Sequence, residues 1–399
     1  MNVAVVELAT EAVVITKGTT PTTLGHPFTE AGIPFLRAQN LLNGTVSVDA
    51  DPLYISEETH HALRRSQILP GDVLISIAGT IGRASVVPAD APEMNCNQAV
   101  AIVRPSQRID RRYLLHWLSG EDASSQIAKG QVTATISNLS LGQIGKLQVP
   151  LPPLAEQKRI AAILDQADAL RRLRRRALDR LNTLGQAIFQ EMFGDGSANP
   201  HGWEECRLGE AADVASGITK GRKIGTETVR EVPYLAVANV QDRHLKLDAV
   251  KAIEATEDEI ARYRLRRDDL LLTEGGDPDK LGRGTLWGEE IPECIHQNHI
   301  FRVRVTSRLV RPVFLNWLVG SETGKRYFFR SSKQTTGIAS INKTQLNEFP
   351  LLVPPLDAQV QFEERLREVG RTTRLVCSAN ERTGSLFASL QHRAFTGQL

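Results

Sequence analysis

The chain has few of the residues that characterise disulfide-stabilised, zinc-binding or membrane proteins. Its 399 residues include only four cysteines, which are far apart: Cys96, Cys206, Cys294 and Cys377. No C-x-x-C pair or zinc-type histidine spacing occurs, and isolated thiols are typical of a reducing compartment. No apolar run approaches the roughly 18 residues of a membrane span, and Glu7 and Glu11 interrupt the apolar N-terminus. We therefore expect a cytoplasmic protein with no metal site, no signal peptide and no membrane span.

A strong charge of either sign is also missing. The 48 Lys and Arg residues against 46 Asp and Glu residues give a net charge of +2 at pH 7. Binding to nucleic acid would therefore depend on local basic patches and not on a generally cationic surface. Charged residues make up 24% of the chain and hydrophobic residues 41%, as in globular proteins, and the length allows two or more domains.

Recognisable catalytic motifs are absent too. The glycine-rich segments Gly79–Arg83 and Glu274–Gly284 have neither P-loop nor dinucleotide-binding spacing. Asp51–Tyr54 resembles the D-P-P-Y motif of adenine methyltransferases, but it lacks the second proline and no glycine-rich cofactor loop precedes it. Acidic and basic residues crowd together in 277–280, whereas a metal-dependent nuclease would distribute them over two strands. The histidines form no recurring ligand or triad spacing, so we predict no catalytic residue.

The most regular pattern in the chain lies in residues 149–194. It begins with VPLPP, and because proline can neither continue a helix nor donate to a sheet, a helix is predicted to begin near Leu154. Apolar or small residues then recur in steps typical of a coiled coil, with Arg174 as the only break: Ile160, Ile163, Ala167, Leu170, Ala177, Leu181, Leu184 and Ile188. About 38 helical residues would form a rod of roughly 57 Å, which needs a partner helix.

The end of the chain supplies a matching segment. Pro354-Pro355-Leu356 repeats Pro152-Pro153-Leu154 at an offset of 202, and a second stripe with a polar middle follows. Its positions are Phe362, Leu366, Val369, Thr373, Val376, Asn380, Thr383, Phe387, Leu390 and Ala394. Either stripe alone could be an ordinary core helix, but two matched helices favour pairing.

The rest of the chain is duplicated with the same period. IPFLRAQN (33–40) returns as VPYLAVAN (232–239), and the helical segment 56–65 has its counterpart in 256–265. Each helix leads into a buried-strand pattern preceded by Asp72 or Asp269, and helices carrying Trp117 and Trp317 follow later. We predict an α+β fold, with two duplicated mixed α/β domains joined by an antiparallel coiled coil and related by a pseudo-two-fold axis. The expected segments are 1–150, 151–195, 196–351 and 352–399.

Amide, hydroxyl and basic residues recur on the loops of both repeats. We pair Lys17-Gly18-Thr19 with Lys220-Gly221-Arg222, Gln39-Asn40 with Asn239 and Gln241, and Arg83 with Arg283. Such side chains hydrogen-bond base edges and phosphates, although solvation alone explains any single one of them. The candidate DNA-binding residues are Lys17, Thr19, Gln39, Asn40, Arg83, Lys220, Arg222, Asn239, Gln241, Lys280 and Arg283.

These features resemble the specificity subunits of type I restriction-modification enzymes over essentially the whole chain. Leu141 and the following VPLPPLAEQKRIAAILDQADAL are similar to the central region of that family, and KGTTP (17–21) is similar to the start of its target-recognition domains. The second repeat departs from this pattern, with Asp357-Ala358-Gln359 in place of Ala155-Glu156-Gln157 and SGITKGRK (216–223) without Thr-Pro.

The resemblance implies a non-catalytic subunit that recognises a bipartite, asymmetric sequence in double-stranded DNA, one half per domain, with the helix pair setting the spacing. It also implies two methyltransferase subunits that hold S-adenosylmethionine and a restriction (translocase) subunit that uses ATP and Mg, and none of these cofactors is expected in this chain. A free-standing DNA-binding regulator and a coiled-coil scaffold without DNA binding remain alternatives.

The first long helix also carries a dense block of arginines at positions 171, 172, 174, 175 and 176. Consecutive positions point in different directions around a helix, so most of these side chains are expected to face solvent or partners. Some of them are expected to face phosphates.

Overall fold

The computed structural model describes residues 3–42, 44–48, 51–130, 138–194, 199–276, 281–335 and 338–399. Two units are distinguished, one formed by Met1–Arg176 with Cys377–Leu399 and the other by Ala177–Val376. None of the helices in these ranges is long and apolar enough to cross a membrane. The same ranges contain no group of three or more His, Cys, Asp or Glu residues that could hold a metal ion.

The first unit contains short strands and helices followed by the start of a long helix. Its strands are β1 (Val5–Glu7), β2 (Ala12–Lys17), β3 (Ile33–Leu36), β4 (Leu41–Leu42), β5 (Thr45–Val46), β6 (Tyr54–Ile55), β7 (Gln67–Ile68), β8 (Val73–Ser76), β9 (Ala84–Val86), β10 (Met94–Cys96), β11 (Val100–Pro105) and β12 (Gln148–Pro150). Its helices are α1 (Glu57–Ala62), α2 (Arg111–Leu118), α3 (Glu121–Gly130), α4 (Leu141–Gly145) and α5 (Leu154–Phe193). Short 3₁₀ helices lie at Leu8–Thr10, Pro21–Leu24, Ala38–Asn40 and Arg64–Ser66.

Two four-stranded sheets form the body of this unit, in the orders β2-β11-β8-β9 and β6-β3-β10-β7. Strand β8 is buried along its whole length and pairs antiparallel with both β11 and β9. The turn before it is held by Asp72, whose side chain is 1% exposed. Its carboxylate accepts from the Leu69 backbone N–H at 2.8 Å and from Arg104 at 2.8 and 2.9 Å. The aspartate singled out from the sequence thus fixes the turn and the neighbouring strand together.

The second unit repeats this plan with different lengths. Its strands are β13 (Glu204–Arg207), β14 (Ala212–Ser216), β15 (Val229–Leu235), β16 (Val240–Gln241), β17 (His244–Leu245), β18 (Lys251–Thr256), β19 (Leu270–Thr273), β20 (Gly275–Gly276), β21 (Gly284–Leu286), β22 (Ile295–His296), β23 (Ile300–Val305), β24 (Lys333–Thr335), β25 (Ile338–Ser340) and β26 (Pro350–Val353). Its helices are α6 (Leu208–Ala211), α7 (Glu257–Tyr263), α8 (Pro312–Val319), α9 (Glu322–Ser331), α10 (Lys343–Asn347) and α11 (Leu356–Phe395), with a 3₁₀ turn at Val237–Asn239.

The strand order confirms the predicted duplication. The sheet β14-β23-β19-β21 has the same connections as β2-β11-β8-β9, and β18-β15-β22 corresponds to β6-β3-β10. Asp269 holds the turn before β19, accepting from the Arg266 backbone N–H and from Arg304, all at 2.7 Å. The predicted helices after Ser56 and Thr256 are α1 and α7, and in each the named residue caps the first turn.

The long helices pair antiparallel within each unit. In the first unit the beginning of α5 shares a core with the end of α11, through Ile160, Ala161 and Leu164 and through Phe387, Ala394 and Phe395. In the second unit the end of α5 packs on the beginning of α11, with the rings of Phe189 and Phe193 each 5.4 Å from the ring of Phe362. The predicted α+β class with paired long helices is confirmed, and both helices lie inside the predicted segments 151–195 and 352–399. The four-part division itself stays a prediction.

The predicted contact stripe of α5 is wrong in part. Leu170 is 55% exposed and Leu184 40% exposed, while Leu164, which the stripe omitted, is fully buried. An α-helix has 3.6 residues per turn, so its buried face drifts away from a strict seven-residue pattern. The buried positions Gln157, Ile160, Ala161, Leu164 and Asp168 follow the helix period instead.

The other predicted coiled-coil positions differ in burial. Five of them are buried: Ile160, Ile188, Phe362, Phe387 and Ala394. The remainder are partly buried: Ile163, Ala167, Ala177, Leu181, Leu366, Val369, Thr373, Val376, Asn380, Thr383 and Leu390. Arg174, which interrupts the apolar stripe, donates through Nη1 to the backbone oxygen of Ala379 at 3.1 Å. A polar contact between the two helices therefore replaces an apolar one at this position.

Candidate nucleic-acid interface

Lys17 and Thr19 lie where β2 ends and the first predicted recognition loop begins. Lys17 is exposed, and Gly18 between them is buried because its backbone passes close to β10. A Cβ on Gly18 would lie 2.1 Å from the backbone oxygens of Cys96 and Asn97, so only glycine fits. The Thr19 backbone N–H donates to the Cys96 oxygen at 3.1 Å. This loop is therefore anchored to the sheet while Lys17 faces solvent.

The equivalent loop of the second unit corrects the predicted alignment. A Cβ on Gly217 would lie 1.9 Å from the His296 oxygen, and the Ile218 N–H donates to that oxygen at 2.8 Å. Gly217 is therefore the counterpart of Gly18, and the pairing of 17–19 with 220–222 is wrong by four residues. The prediction aligned the two Lys-Gly pairs, whereas the close contact of Gly217 with the His296 backbone identifies the glycine that is equivalent to Gly18.

Arg222 and Lys220 differ in their availability to a ligand. The guanidinium of Arg222 forms a two-pronged ion pair with Glu259 and donates to the Glu254 backbone oxygen at 2.9 Å, and its side chain is 18% exposed. The hydrogen bond to Glu259 raises the pKa of Arg222. This arginine fixes the loop to α7, so its predicted DNA contact is not supported, whereas Lys220 is exposed.

Asn40 has a structural role instead of the predicted DNA contact. Its side chain is buried and holds the 3₁₀ turn after β3, because its amide oxygen accepts from the Arg37 N–H at 2.8 Å and its amide nitrogen donates to the Ser47 oxygen at 2.9 Å. Gln39, its neighbour, is exposed and donates to the Asp51 carboxylate at 3.2 Å. Of the two, only Gln39 lies at the surface.

Asn239 repeats this role in the second unit. Its amide oxygen accepts from the Ala236 N–H at 2.8 Å, and its amide nitrogen donates to the backbone oxygens of Lys246 and Ala249 at 2.8 and 3.1 Å. The recurrence of asparagine at these two positions was a valid signal of duplication. Its physical cause is the turn and not a ligand.

Arg83 and Arg283 occupy the same place in their hairpins. The backbone oxygen of Arg83 accepts from the Ser76 N–H at 2.9 Å, and that of Arg283 accepts from the Thr273 N–H at 3.1 Å. The Arg83 side chain is exposed. The sequence therefore pairs these two arginines correctly, as it does Asn40 with Asn239.

In the second unit the structure brings two candidates together. Nη1 of Arg283 donates to the amide oxygen of Gln241 at 3.2 Å, and the Gln241 amide nitrogen donates to the Ala238 oxygen at 2.8 Å. Nε of Arg283 is buried without a partner among the described residues. A guanidinium and an amide side by side are the groups that recognise guanine and adenine edges. Lys280 lies outside the described residues.

Sequence reasoning missed Arg243, which lies beside this pair. Its guanidinium stacks 3.6 Å above the Trp317 ring, and Nη2 donates to the Gln186 side chain on α5 at 2.7 Å. Its φ of 59° is unusual for a non-glycine residue. Burial lowers the pKa of Arg243. Nothing in the sequence distinguished this arginine, because its counterpart in the first repeat is Gly44.

Comparison with known proteins gives these units a family. A model of the type I restriction modification DNA specificity domain matches residues 11–183 and again 200–381. The chain belongs to the type I restriction-modification specificity family. Both halves of the duplication are therefore specificity domains, which confirms the resemblance predicted from the sequence.

Individual relatives agree over nearly the full length. The StySPI specificity subunit of Salmonella potsdam is 25% identical over 393 residues, spanning 92% of this chain and 82% of that protein. The EcoKI specificity subunit of Escherichia coli K12 is 23% identical over 390 residues, with the same coverage of 92% and 82%. Proteins named as specificity subunits thus align with most of the length of this chain.

Solved structures share the fold. A chain from work on complex assembly and conformational transition of the type I R-M system superposes with a TM-score of 0.65 at 17% identity, covering 99% of this chain and 98% of that one. The S subunit of the type I system from M. genitalium gives a TM-score of 0.54 at 12% identity, covering 99% and 96%.

Proposed function

We propose that this chain is the DNA-recognition subunit of a type I restriction-modification complex, and that each unit recognises one half of a bipartite, asymmetric target in double-stranded DNA. The observation that carries the proposal is the duplication of one specificity-domain fold with different residues at equivalent loop positions. Lys17-Gly18-Thr19 stands where the second unit has Ser216-Gly217-Ile218. Two similar surfaces with different side chains favour two different half-sites.

Within each unit, the candidates with exposed or partly exposed side chains are the residues proposed to contact DNA. In the first unit these are Lys17, Thr19, Gln39 and Arg83, and in the second Lys220, Gln241 and Arg283. Hydrogen-bonding side chains of these types read base edges, while lysine and hydroxyl groups hold phosphates. Asn40, Asn239 and Arg222 instead stabilise the loops through hydrogen bonds within each unit.

The two long helices are proposed to set the distance between the half-sites. Each has 40 residues, which at 1.5 Å per residue corresponds to about 60 Å. Helix rise is fixed by backbone hydrogen bonding, so the pair has a defined length that loops could not provide.

The chemistry is proposed to reside on partner subunits. From membership of the family we expect two methyltransferase subunits that hold S-adenosylmethionine and a restriction subunit that uses ATP and Mg. In this hypothesis the present chain provides recognition and docking. A free-standing regulator would bind DNA without these partners, and a scaffold would bind partners without selecting a sequence.

Affinity purification of the tagged chain from its host tests the proposal against both alternatives. A co-purifying methyltransferase subunit, together with a methylated two-part motif that disappears from the host genome when the gene is deleted, is the expected result. Partners without a lost motif would favour the scaffold. Specific DNA binding without a methyltransferase would favour the regulator.

A further inference from the structure

Three arginines of α5 surround a cavity in the first unit. Arg171, Arg172 and Arg175 line a space of about 410 Å³ together with Gly44 and Gln391, and the same three arginines line a second space of about 160 Å³. Such a concentration of guanidinium groups on consecutive turns of one helix is not required for the helix to pack.

The charge of this cluster is only partly compensated. Nη2 of Arg171 donates to Oδ1 of Asp168 at 2.6 Å, and Nε of Arg172 donates to Oδ2 of the same carboxylate at 2.7 Å. Arg175 is exposed, and within the described part of the chain no carboxylate is paired with it. Asp168 thus compensates Arg171 and Arg172 only in part and is not paired with Arg175, which leaves a local excess of positive charge.

The geometry of the cluster is fixed from two sides. Asp168 is 6% exposed and holds two of the arginines, while the Arg171 guanidinium lies 4.5 Å above the Phe387 ring of α11. Held guanidinium groups bind an anion with little loss of side-chain freedom. The cluster therefore has the pre-organisation that a phosphate site needs.

The cavity is open because the residue above it has no side chain. Gly44 has a φ of +96°, and a Cβ built on it would lie 3.8 Å from Nη2 of Arg172. The equivalent position of the second unit is Arg243, whose side chain lies on Trp317 and bonds to α5. The counterparts of Arg171 and Arg175 at the offset of 202 are Thr373 and Cys377. The duplication thus has the basic cavity in the first unit and a filled position in the second.

The cavity lies near one of the proposed recognition residues. The Gly44 N–H donates to the backbone oxygen of Ala84 at 3.1 Å, and Ala84 directly follows the exposed Arg83. Gly44, which lines the cavity, is therefore joined by its backbone to the residue that follows Arg83.

We propose that Arg171, Arg172 and Arg175 form a binding site for a backbone phosphate of double-stranded DNA, present in the first unit and absent from the second. This inference rests on the proposed function. The site reads no base, so it adds affinity and fixes orientation for the first half-site without adding sequence information. A charged oxygen of the phosphodiester accepts from Arg175 and from the outward N–H groups of Arg171 and Arg172.

Substitution of Arg175 tests the site in the full-length chain purified with its methyltransferase subunits. Affinity for a duplex with the methylated motif and for a duplex with scrambled half-sites is measured over a series of NaCl concentrations. Arg175→Gln should weaken both complexes by a similar factor, about two- to tenfold, and reduce the slope of log K against log salt by about 0.9. Arg374→Gln is the matched control, because Arg374 is exposed, equivalent to Arg172 at the offset of 202, and lies in the unit without the cavity.

Three outcomes would overturn the inference while leaving the proposed function intact. The first is selective binding of the motif with no difference in slope between Arg175→Gln and Arg374→Gln. The second is loss of selectivity between motif and scrambled duplex in Arg175→Gln, which would make the arginine a base-reading residue. The third is stabilisation of the wild type by inorganic phosphate that Arg175→Gln abolishes without any change in DNA binding, which would indicate a site for a free anion. Failure of the wild type to prefer its motif would instead refute the proposed function.

Discussion

Gln157 and Gln359 show how a single side chain joins each unit to a long helix. Gln157 is fully buried; its amide oxygen accepts from the Asp110 N–H at 2.8 Å, and its amide nitrogen donates to the oxygens of Arg108 and Pro152 at 3.0 and 2.9 Å. Gln359 makes the same three contacts in the second unit, with Arg311, Leu309 and Pro354. The glutamine in the family-like A-E-Q segment is therefore hydrogen-bonded both to the proline-rich segment and to the domain.

Replacing this glutamine should destabilise the first unit. Gln157→Leu leaves one buried and two partly buried backbone groups without this partner, which costs about 2 to 4 kcal/mol. Gln166→Leu on an exposed position of the same helix should change the free energy of unfolding by less than about 0.5 kcal/mol. Urea unfolding of both variants measures the difference. Equal midpoints would show that the hydrogen bonds of Gln157 add no stability.

His296 gives the second unit a pH-dependent contribution to stability. It is fully buried at a position where the first unit has Cys96. Its Nδ1 lies 3.0 Å from the Ile300 oxygen, and its Nε2 has no partner among the described residues. Burial lowers the pKa of His296 from 6.5 to about 4. The unfolded chain takes up a proton as the pH falls through 6.5 while the folded chain does not. The stability provided by neutral His296 is therefore complete above pH 6.5 and is lost as the pH falls toward 4.

The exchange His296→Cys should remove this dependence. At pH 5 the wild type should lose about 2 kcal/mol relative to pH 7 through this group, and the variant should lose correspondingly less. His244→Cys, at an exposed position of the same unit, is the control. Urea midpoints at the two pH values provide the measurement. A variant whose midpoint falls as far as that of the wild type would contradict neutral burial of His296.

The residue scale is where sequence reasoning was least complete. Asn40 and Asn239 recur because a turn needs them, and recurrence alone cannot separate a turn from a ligand contact. Arg243 was missed because its role depends on Trp317 and Gln186, which are distant in sequence. Both errors come from contacts that only the folded chain brings together.

Elements were predicted more reliably because their signals are local. The proline-rich segments end just before α5 and α11, and serine or threonine caps α1 and α7 as expected. The face of α5 was predicted less well, since Leu170 and Leu184 lie outside the buried stripe. Helix period and partner shape decide the face, and a small error in period accumulates over 40 residues.

Lengthening both long helices tests whether they determine the spacing. One heptad inserted after Arg176 in α5 and after Val376 in α11 preserves the helix face and adds about 10 Å. The spacer of the methylated motif should then grow by about three base pairs, since each pair adds 3.4 Å. The half-sites should be unchanged. Methylome sequencing provides the measurement, and an unchanged spacer with altered half-sites would mean that the helices do not act as a ruler.

At the scale of the whole chain, duplication is the property that the sequence revealed most clearly. Offsets near 200 recur from Ile33 to Leu356, and the strand orders of the two units agree with them. The loop alignment at 17–19 failed because loops change length freely while the core does not. A target sequence cannot be derived from either, because the pattern of hydrogen bonds to bases depends on the bound geometry.

If each unit recognises its own half-site, exchanging the first domain should change one half of the target. The chimera carries residues 1–150 of a relative and retains α5, the second unit and α11. Gln157 must keep its hydrogen bonds to the incoming domain, so the relative should have the same backbone conformation at the positions of Arg108 and Asp110. The methylated motif of the host should then show a new first half, with the second half and the spacer retained. A soluble, assembled chimera that loses both halves would show that the two units recognise DNA jointly, because independent recognition leaves the unexchanged half-site intact.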